Sequence, residues 1–144
     1  MILSQKSQYA VRAVFELAKR EGSGPVKAAK ISAAQSIPAR FLENILGQLR
    51  QAGIVDSVRG KEGGYLLGKP SSELTVGEVM RLLLGHASGI EEAETDGGRA
   101  GDVLVAIWEK ANQAMMDVYD GTTFKDLVEQ EMVARERETL NYAI

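Results

Sequence analysis

The 144-residue sequence contains no cysteine, and this absence excludes several classes of protein at once. Without thiols there is no disulfide framework, no thiolate nucleophile, no zinc–thiolate site and no ordinary ligation of an iron–sulfur cluster. The sequence has a single histidine, His86, so a histidine-built metal site or a catalytic triad is not expected either. Apolar residues make up 44% of the chain, which at this length is enough to bury a core without cross-links.

Long apolar runs are also missing, since none approaches the roughly 20 residues that a membrane span needs. The first residues, Met-Ile-Leu-Ser-Gln-Lys, lack the apolar region and cleavage pattern of a signal peptide. We therefore expect a cytoplasmic protein. The glycine-rich stretch 60–64 is not followed by the Gly-Lys-Ser/Thr that opens a helix in a phosphate-binding loop. With no acid–base constellation to build on, we predict neither an enzyme nor a bound cofactor or metal.

The net charge of −3 is the sum of two opposite halves. Residues 1–70 hold 11 Lys/Arg and 5 Asp/Glu, a balance of +6, whereas residues 71–144 hold 6 Lys/Arg and 15 Asp/Glu, a balance of −9. A basic half joined to an acidic half suggests a module that binds an anion, fused to something else. An acidic protein overall is therefore still a candidate for binding nucleic acid.

The basic half shows the pattern of a winged helix-turn-helix. Apolar residues at helical spacing predict helices at about 4–19, 26–35 and 38–51. Pro38 suits the first position of the third helix, because its missing N–H would be unpaired there. Two β-prone runs at 54–59 and 65–67 then flank the glycine-rich stretch, which predicts a hairpin. A hairpin directly after a helix-turn-helix is a wing.

The third helix has the side chains that a recognition helix needs on its exposed N-terminal face. Arg40 can donate two hydrogen bonds to guanine, Asn44 can pair with adenine and Glu43 can accept from cytosine. Basic residues of the second helix and the wing are expected to contact phosphates: Lys27, Lys30, Arg59 and Lys61. The alternative interpretation is a solvated helical face beside a surface hairpin.

The acidic half predicts a second helical region. Thr75 and Glu78 have the spacing of a capping box, with a helix following to about residue 84. Residues 85–101 hold five glycines and several acids and are predicted to form a polar loop. They lack the residue order of a calcium loop. A long helix is predicted at 102–119, and Thr123 and Asp126 suit the start of a further helix.

The long helix carries a wide apolar stripe at steps of three and four residues. Its members are Leu104, Ile107, Trp108, Ala111, Met115 and Val118. The stripe is either the inward face of a core helix or the seam of a homodimer, and the short length of chain left to cover it favours the dimer. A two-fold dimer would place two recognition helices on a palindromic operator in double-stranded DNA. We accordingly predict a DNA-binding domain at 1–70, a dimerisation region at 71–133 and a charged C-terminal tail at 134–144.

Several of these segments together resemble the Rrf-two (BadM) family of bacterial winged-helix regulators. The matching segments are residues 7–13, 41–46, 49–55, 75–79 and, most closely, the wing at 57–67, Ser-Val-Arg-Gly-Lys-Glu-Gly-Gly-Tyr-Leu-Leu. The resemblance implies a dimeric, DNA-binding transcriptional repressor. With it, the set of predicted DNA-binding residues becomes Lys27, Pro38, Ala39, Arg40, Phe41, Glu43, Asn44, Arg59, Gly60 and Lys61.

The resemblance also bears on the signal that the protein senses. Many members of the family hold an iron–sulfur cluster through three cysteines before the long helix, and this sequence has none there. It looks instead like the CymR subgroup of cysteine-metabolism repressors, in residues 22–25, 83–85 and 122–127. Those proteins partner with cysteine synthase (O-acetylserine sulfhydrylase) through an aromatic segment that ends in isoleucine. The resemblance thus implies a partner-binding segment here, formed by Tyr142, Ala143 and Ile144.

Two interpretations of the whole chain remain at this point. The first is a dimeric repressor that binds specific DNA sequences, with cysteine or sulfur metabolism genes as targets. The second is an interaction protein that acts mainly by docking its C-terminal segment into a partner enzyme. The two are compatible, because an enzyme bound at one site can change DNA affinity at another through linkage.

Overall fold

The computed structural model describes residues 3–84 and 99–142. Within these ranges the chain is mainly helical and carries one antiparallel two-stranded hairpin, which confirms the predicted fold class. The elements in chain order are α1 (Gln5–Lys19), α2 (Ala28–Gln35), α3 (Ala39–Gln51), β1 (Val55–Val58), β2 (Gly64–Leu67), α4 (Val76–Leu84), α5 (Arg99–Asp120) and α6 (Phe124–Tyr142). None of the described helices has the length and apolarity needed to cross a bilayer.

The helix starts follow local capping chemistry. The Ser4 hydroxyl accepts a hydrogen bond from the backbone N–H of Ser7 at 3.1 Å and so begins α1. Thr75 does the same for the N–H of Glu78 at 3.2 Å at the start of α4, which is half of the predicted capping box. Pro38 takes the N-cap position of α3 with extended backbone angles, so the helix begins at Ala39, one residue later than predicted.

A single apolar core joins the two halves of the chain. Val14 of α1, Leu46 of α3 and Val79 of α4 are fully buried in one cluster. The same cluster contains Phe124, the first residue of α6, which is also 0% exposed. The change in charge sign at residue 70 therefore does not mark a break between two cores. The division into separate DNA-binding and dimerisation domains stays a prediction from charge and pattern.

The turn between α5 and α6 is anchored on α4. The backbone of Val76 bonds to the carbonyl of Thr122 at 2.9 Å, and that of Phe124 bonds to the carbonyl of Leu74 at 3.0 Å. Arg81 forms a two-pronged hydrogen bond with Asp120, and this bond holds the pKa of the Asp120 carboxyl below its ordinary value. These contacts fix where α5 ends and α6 begins relative to the core.

Two predicted boundaries in the acidic half differ from the structure. Arg99 begins α5, so the last three residues of the predicted loop 85–101 are helical; the rest of that loop, with His86, lies outside the described residues. The segment 134–144, predicted as a charged tail, is helical as far as Tyr142, because α6 continues through it. Reciprocal backbone–side-chain bonds between Thr123 and Asp126 start this helix. Residues 132–142 are exposed, and this polar run of good helix formers continues the helix without burying a face.

Candidate nucleic-acid interface

The helix-turn-helix places every predicted residue of the recognition helix on its outer surface. The exposed residues are Pro38, Ala39, Arg40, Phe41, Glu43 and Asn44. Between and after them, Leu42 and Ile45 point into the core and are at most 1% exposed. The alternation arises from the apolar residues at steps of three and four, which bury one side of α3 and leave the other side free for contacts.

An aromatic and cationic stack organises the start of α3. The Arg40 guanidinium lies 4.8 Å from the ring centre of Phe41, and the Phe41 ring is 6.4 Å from that of Tyr9 on α1. The Arg12 guanidinium lies 5.7 Å from the centre of the Tyr9 ring. Arg40 is therefore held over an aromatic ring before any DNA is bound, so less side-chain freedom is lost when it contacts a base.

The wing is a short hairpin with an additional bridge to the segment before α2. Val55 to Val58 pair with Leu67 to Gly64 in antiparallel register. Val26 adds an isolated bridge to Tyr65, with both backbone bonds at 2.8 Å. The tip residues Arg59, Gly60 and Lys61 are exposed, as the sequence predicts.

A close backbone contact explains one glycine near the wing tip, and a positive φ explains another. A Cβ added to Gly63 would lie 2.0 Å from the carbonyl oxygen of Val58, so no side chain fits there. Gly60 has a φ of +103°, a conformation that residues with a side chain rarely adopt. These glycines shape the loop that presents Arg59 and Lys61, which is a structural role distinct from cradling a nucleotide phosphate.

A cavity of about 260 Å³ lies between the start of α2 and the wing tip, and it is lined by four basic residues and by Glu62. Lys27 caps the start of α2 without a side-chain capping bond, and its ammonium donates to the carbonyl of Gly60 at 3.2 Å. Lys30 and Lys61 line the same cavity, as does Arg20 from just after α1. Cations beside a helix N-terminus suit a phosphate group. Sequence reasoning missed Arg20, because its position at a helix end says nothing about its neighbours in space.

The predicted dimerisation stripe lies on the outside of the monomer. Leu104, Ile107, Trp108 and Val118 are each at least 50% exposed. Ala111 is exposed and Met115 is half-buried. Of the α5 side chains that the structure describes, Met116 alone is buried. Exposed apolar stripes on one face are typical of interaction surfaces, and the use of this stripe in a dimer stays a prediction.

The predicted partner-binding segment is described only in part. Tyr142 ends α6 and is 92% exposed, while Ala143 and Ile144 lie outside the described residues. The structure therefore leaves this segment as a prediction.

The comparisons with known proteins agree with this geometry. The model of the Rrf2 family, described as an iron-dependent transcriptional regulator, matches residues 3–130. The chain belongs to the Rrf2 family. It is 34% identical over 127 residues to the transcriptional regulator CymR of Bacillus subtilis, covering 88% of this chain and 89% of CymR.

Solved structures of Rrf2 regulators share the fold. The structure of CymR, the global cysteine regulator of B. subtilis, matches with a TM-score of 0.77 at 34% identity, over 90% of this chain and 98% of CymR. IscR of T. potens matches with a TM-score of 0.78 at 33% identity, over 91% of this chain and 88% of IscR. The predicted family is thereby confirmed, and the chain is a DNA-binding transcriptional regulator rather than an enzyme.

The Rrf2 family is described as iron-dependent, and this chain lacks the ligands for a cluster held by cysteines. This chain has no cysteine, so a cluster held by thiolates has no ligands in it. Among residues 3–84 and 99–142, no three His, Asp or Glu side chains gather closely enough to hold a metal ion. The residues present therefore do not fit a cysteine-held cluster.

Proposed function

We propose that the chain is a homodimeric repressor that binds a palindromic operator through α3 and the wing. The observation that carries this proposal is the way α2, α3 and the wing are joined. The Val26–Tyr65 bridge and the bond from Lys27 to the Gly60 carbonyl tie the wing to the start of α2. The exposed start of α3 and the basic wing tip are thus held as one surface, which suits a DNA groove and the phosphates beside it.

The stripe on α5 supports the proposed dimer. A second copy of the chain offers the same stripe, so a two-fold contact would cover both stripes with each other. Because both copies then present an α3 helix, the operator is expected to have two half-sites about 34–36 Å apart or a multiple of that distance. Since its relatives CymR and IscR are bacterial transcriptional regulators, we also propose that the protein works in the cytoplasm.

Phosphate and base contacts can be separated by two substitutions. We expect Arg59→Ala to weaken binding to every DNA sequence and to reduce the slope of log affinity against log salt by about 1, because one phosphate contact is lost. We expect Glu43→Ala to change which base is preferred at one operator position by about 1–3 kcal/mol, because Glu43 can accept from cytosine.

The measurement for both variants is fluorescence anisotropy on the operator, on single-base operator variants and on a scrambled fragment, at several salt concentrations. Gln51→Ala, at the exposed far end of α3, is the matched control and should behave as wild type. Binding that is independent of salt, or a Glu43→Ala variant with unchanged base preference, would contradict the proposed interface.

A second proposed function is docking to cysteine synthase, which would make cysteine or sulfur metabolism genes the targets. The similarity to CymR, a global cysteine regulator, and the exposure of Tyr142 at the end of α6 support it. Removal of Ile144 is expected to weaken binding to cysteine synthase at least tenfold, since an apolar anchor in a pocket is lost. The check is calorimetry with the purified enzyme. Equal affinity with and without Ile144 would refute a role for this segment.

A further inference from the structure

Glu16 is a buried carboxylate that neither the DNA face nor the α5 stripe uses. It lies in the last turn of α1 and is 2% exposed. Its Oε2 accepts a hydrogen bond from the Gln35 side-chain amide at 2.8 Å, and its Oε1 accepts from Arg20 at 2.9 Å. Lys19 lies 3.6 Å away. Burial raises the pKa of Glu16, but the bonds from Gln35 and Arg20 and the nearby positive charges outweigh it and hold the pKa below its ordinary value.

Gln35 connects Glu16 to the helix-turn-helix. It is the last residue of α2, and the next residue, Ser36, turns the chain with a φ of +53°. The side chain of Gln35 is held by Glu16, and its backbone carbonyl accepts a hydrogen bond from Arg12. Both attachments come from α1, so α1 fixes the turn from which α3 departs. The orientation of a recognition helix depends on that turn.

Lys19 connects Glu16 to α6. Lys19 donates to Oε1 of Glu131 at 3.4 Å, and Arg135 approaches that oxygen at 2.6 Å. Oε2 of Glu131 is buried and has no hydrogen-bond partner within residues 3–84 and 99–142. The Glu131 side chain is therefore turned toward α1 and is 27% exposed. Lys19 lies between two carboxylates, one at the helix-turn-helix side and one on α6.

We propose that Glu16 is a positioning residue for the recognition helix, and that α6 influences operator affinity through it by way of Lys19 and Glu131. A shift of α6 that breaks the Lys19–Glu131 pair frees Lys19 to move, and so changes the position of the positive charge beside Glu16. Glu16 in turn holds Gln35 and the turn. The chain of contacts gives a physical link between a helix far along the sequence and the DNA-reading helix.

The first test removes the side chain that ties the turn to Glu16. Gln35→Ala is expected to weaken binding to the operator about tenfold, since a hydrogen bond to a charged group is lost. Binding to a scrambled fragment of equal length is expected to stay unchanged, because the variant keeps every charge. Gln51→Ala removes the same side chain at the end of α3 and is the matched control. A purely structural role would instead lower both affinities together as the fold is lost.

The second test is a double-mutant cycle on the link to α6. Glu131→Gln is expected to weaken operator binding about threefold relative to Glu129→Gln, which makes the same charge change at an exposed site on α6. In the Lys19→Ala background, Glu131→Gln is expected to have no further effect. Circular dichroism at the assay temperature checks that each variant is folded. If Lys19→Ala fails this check, Lys19→Gln takes its place in the cycle, and if Gln35→Ala fails it, Glu16→Gln removes the same contact from the other side.

The outcomes separate this inference from the proposed function on which it rests. A wild-type chain that binds the operator no better than the scrambled fragment would overturn the proposed function. A wild-type chain that prefers the operator, with Gln35→Ala keeping that preference, would overturn the role of Glu16. Equal effects of Glu131→Gln and Glu129→Gln, or an effect of Glu131→Gln that persists without Lys19, would overturn the link to α6.

Discussion

We expect Trp108→Glu to dissociate the dimer and to weaken operator binding by a factor of about 10²–10⁴. Trp108 lies in the middle of the α5 stripe and is 56% exposed in the monomer. In the proposed two-fold contact its indole would be covered, and a carboxylate in that place would be buried without a partner, close to the same carboxylate of the second copy. Once the dimer is lost, the two half-sites no longer bind one linked molecule, and the gain from bivalency disappears.

The matched control for this variant is Ala106→Glu. Ala106 is exposed on the same helix, and at 100° per residue it lies away from the stripe defined by residues 104, 108, 111 and 115. Both variants add one negative charge to α5, so any general electrostatic weakening of DNA binding is shared. Light scattering after size-exclusion chromatography gives the mass, and anisotropy gives the affinity for the full operator and for one half-site.

Three results would contradict the proposed seam. The first is a Trp108→Glu protein that keeps the mass of wild type. The second is a monomeric variant whose affinity for the full operator is unchanged. The third is equal behaviour of Ala106→Glu and Trp108→Glu. A monomeric Trp108→Glu protein that still binds a single half-site as well as wild type does would support the account, because α3 and the wing are left intact.

We expect Phe124→Ala to lower the free energy of unfolding by about 3–5 kcal/mol, the range for removing a buried aromatic side chain. Phe124 is 0% exposed in the core that α1, α3 and α4 also line. Its backbone N–H bonds to the carbonyl of Leu74, which keeps the ring position fixed and limits how far the core can collapse into the cavity. The chain therefore loses both the burial of the ring and its packing contacts.

The control for this variant is Leu140→Ala. Leu140 lies on the same helix and is 65% exposed, so its removal should change stability by no more than about 0.5 kcal/mol. Urea titrations at one protein concentration give both values, since the stability of a dimer depends on concentration. If Phe124→Ala were as mild as Leu140→Ala, α6 would not belong to the core and the link from Glu131 to Glu16 would lose its basis.

The parts of the fold that the sequence predicts well are those governed by local rules. Ser4 and Thr75 cap helices where their spacing predicts, and the apolar steps in α3 separate Leu42 and Ile45 from the exposed Arg40 and Glu43. Hydroxyl capping and helical periodicity act over a few residues, so a single sequence contains the whole signal.

The features that sequence reasoning missed depend on contacts between distant segments. Arg20 joins the basic cavity, Val26 bridges to Tyr65, and Glu16 pairs with residues of α2 while reaching α6 through Lys19. None of these partners is close in sequence, and helical periodicity does not encode them. The length of α6 has another cause: a charged segment of good helix formers has no apolar stripe, so helical periodicity does not indicate a helix there.

The measurement that tests the central claim most directly is selection of DNA by the purified chain. Sheared genomic DNA is incubated with the protein at moderate salt, and the retained fragments are sequenced. The account predicts enrichment of one inverted repeat, with half-sites centred about 10–10.5 base pairs apart or a multiple of that spacing, and loss of the enrichment with Trp108→Glu. Retained fragments without a shared motif, or retention that Trp108→Glu leaves unchanged, would contradict a dimer that reads specific DNA through α3 and the wing.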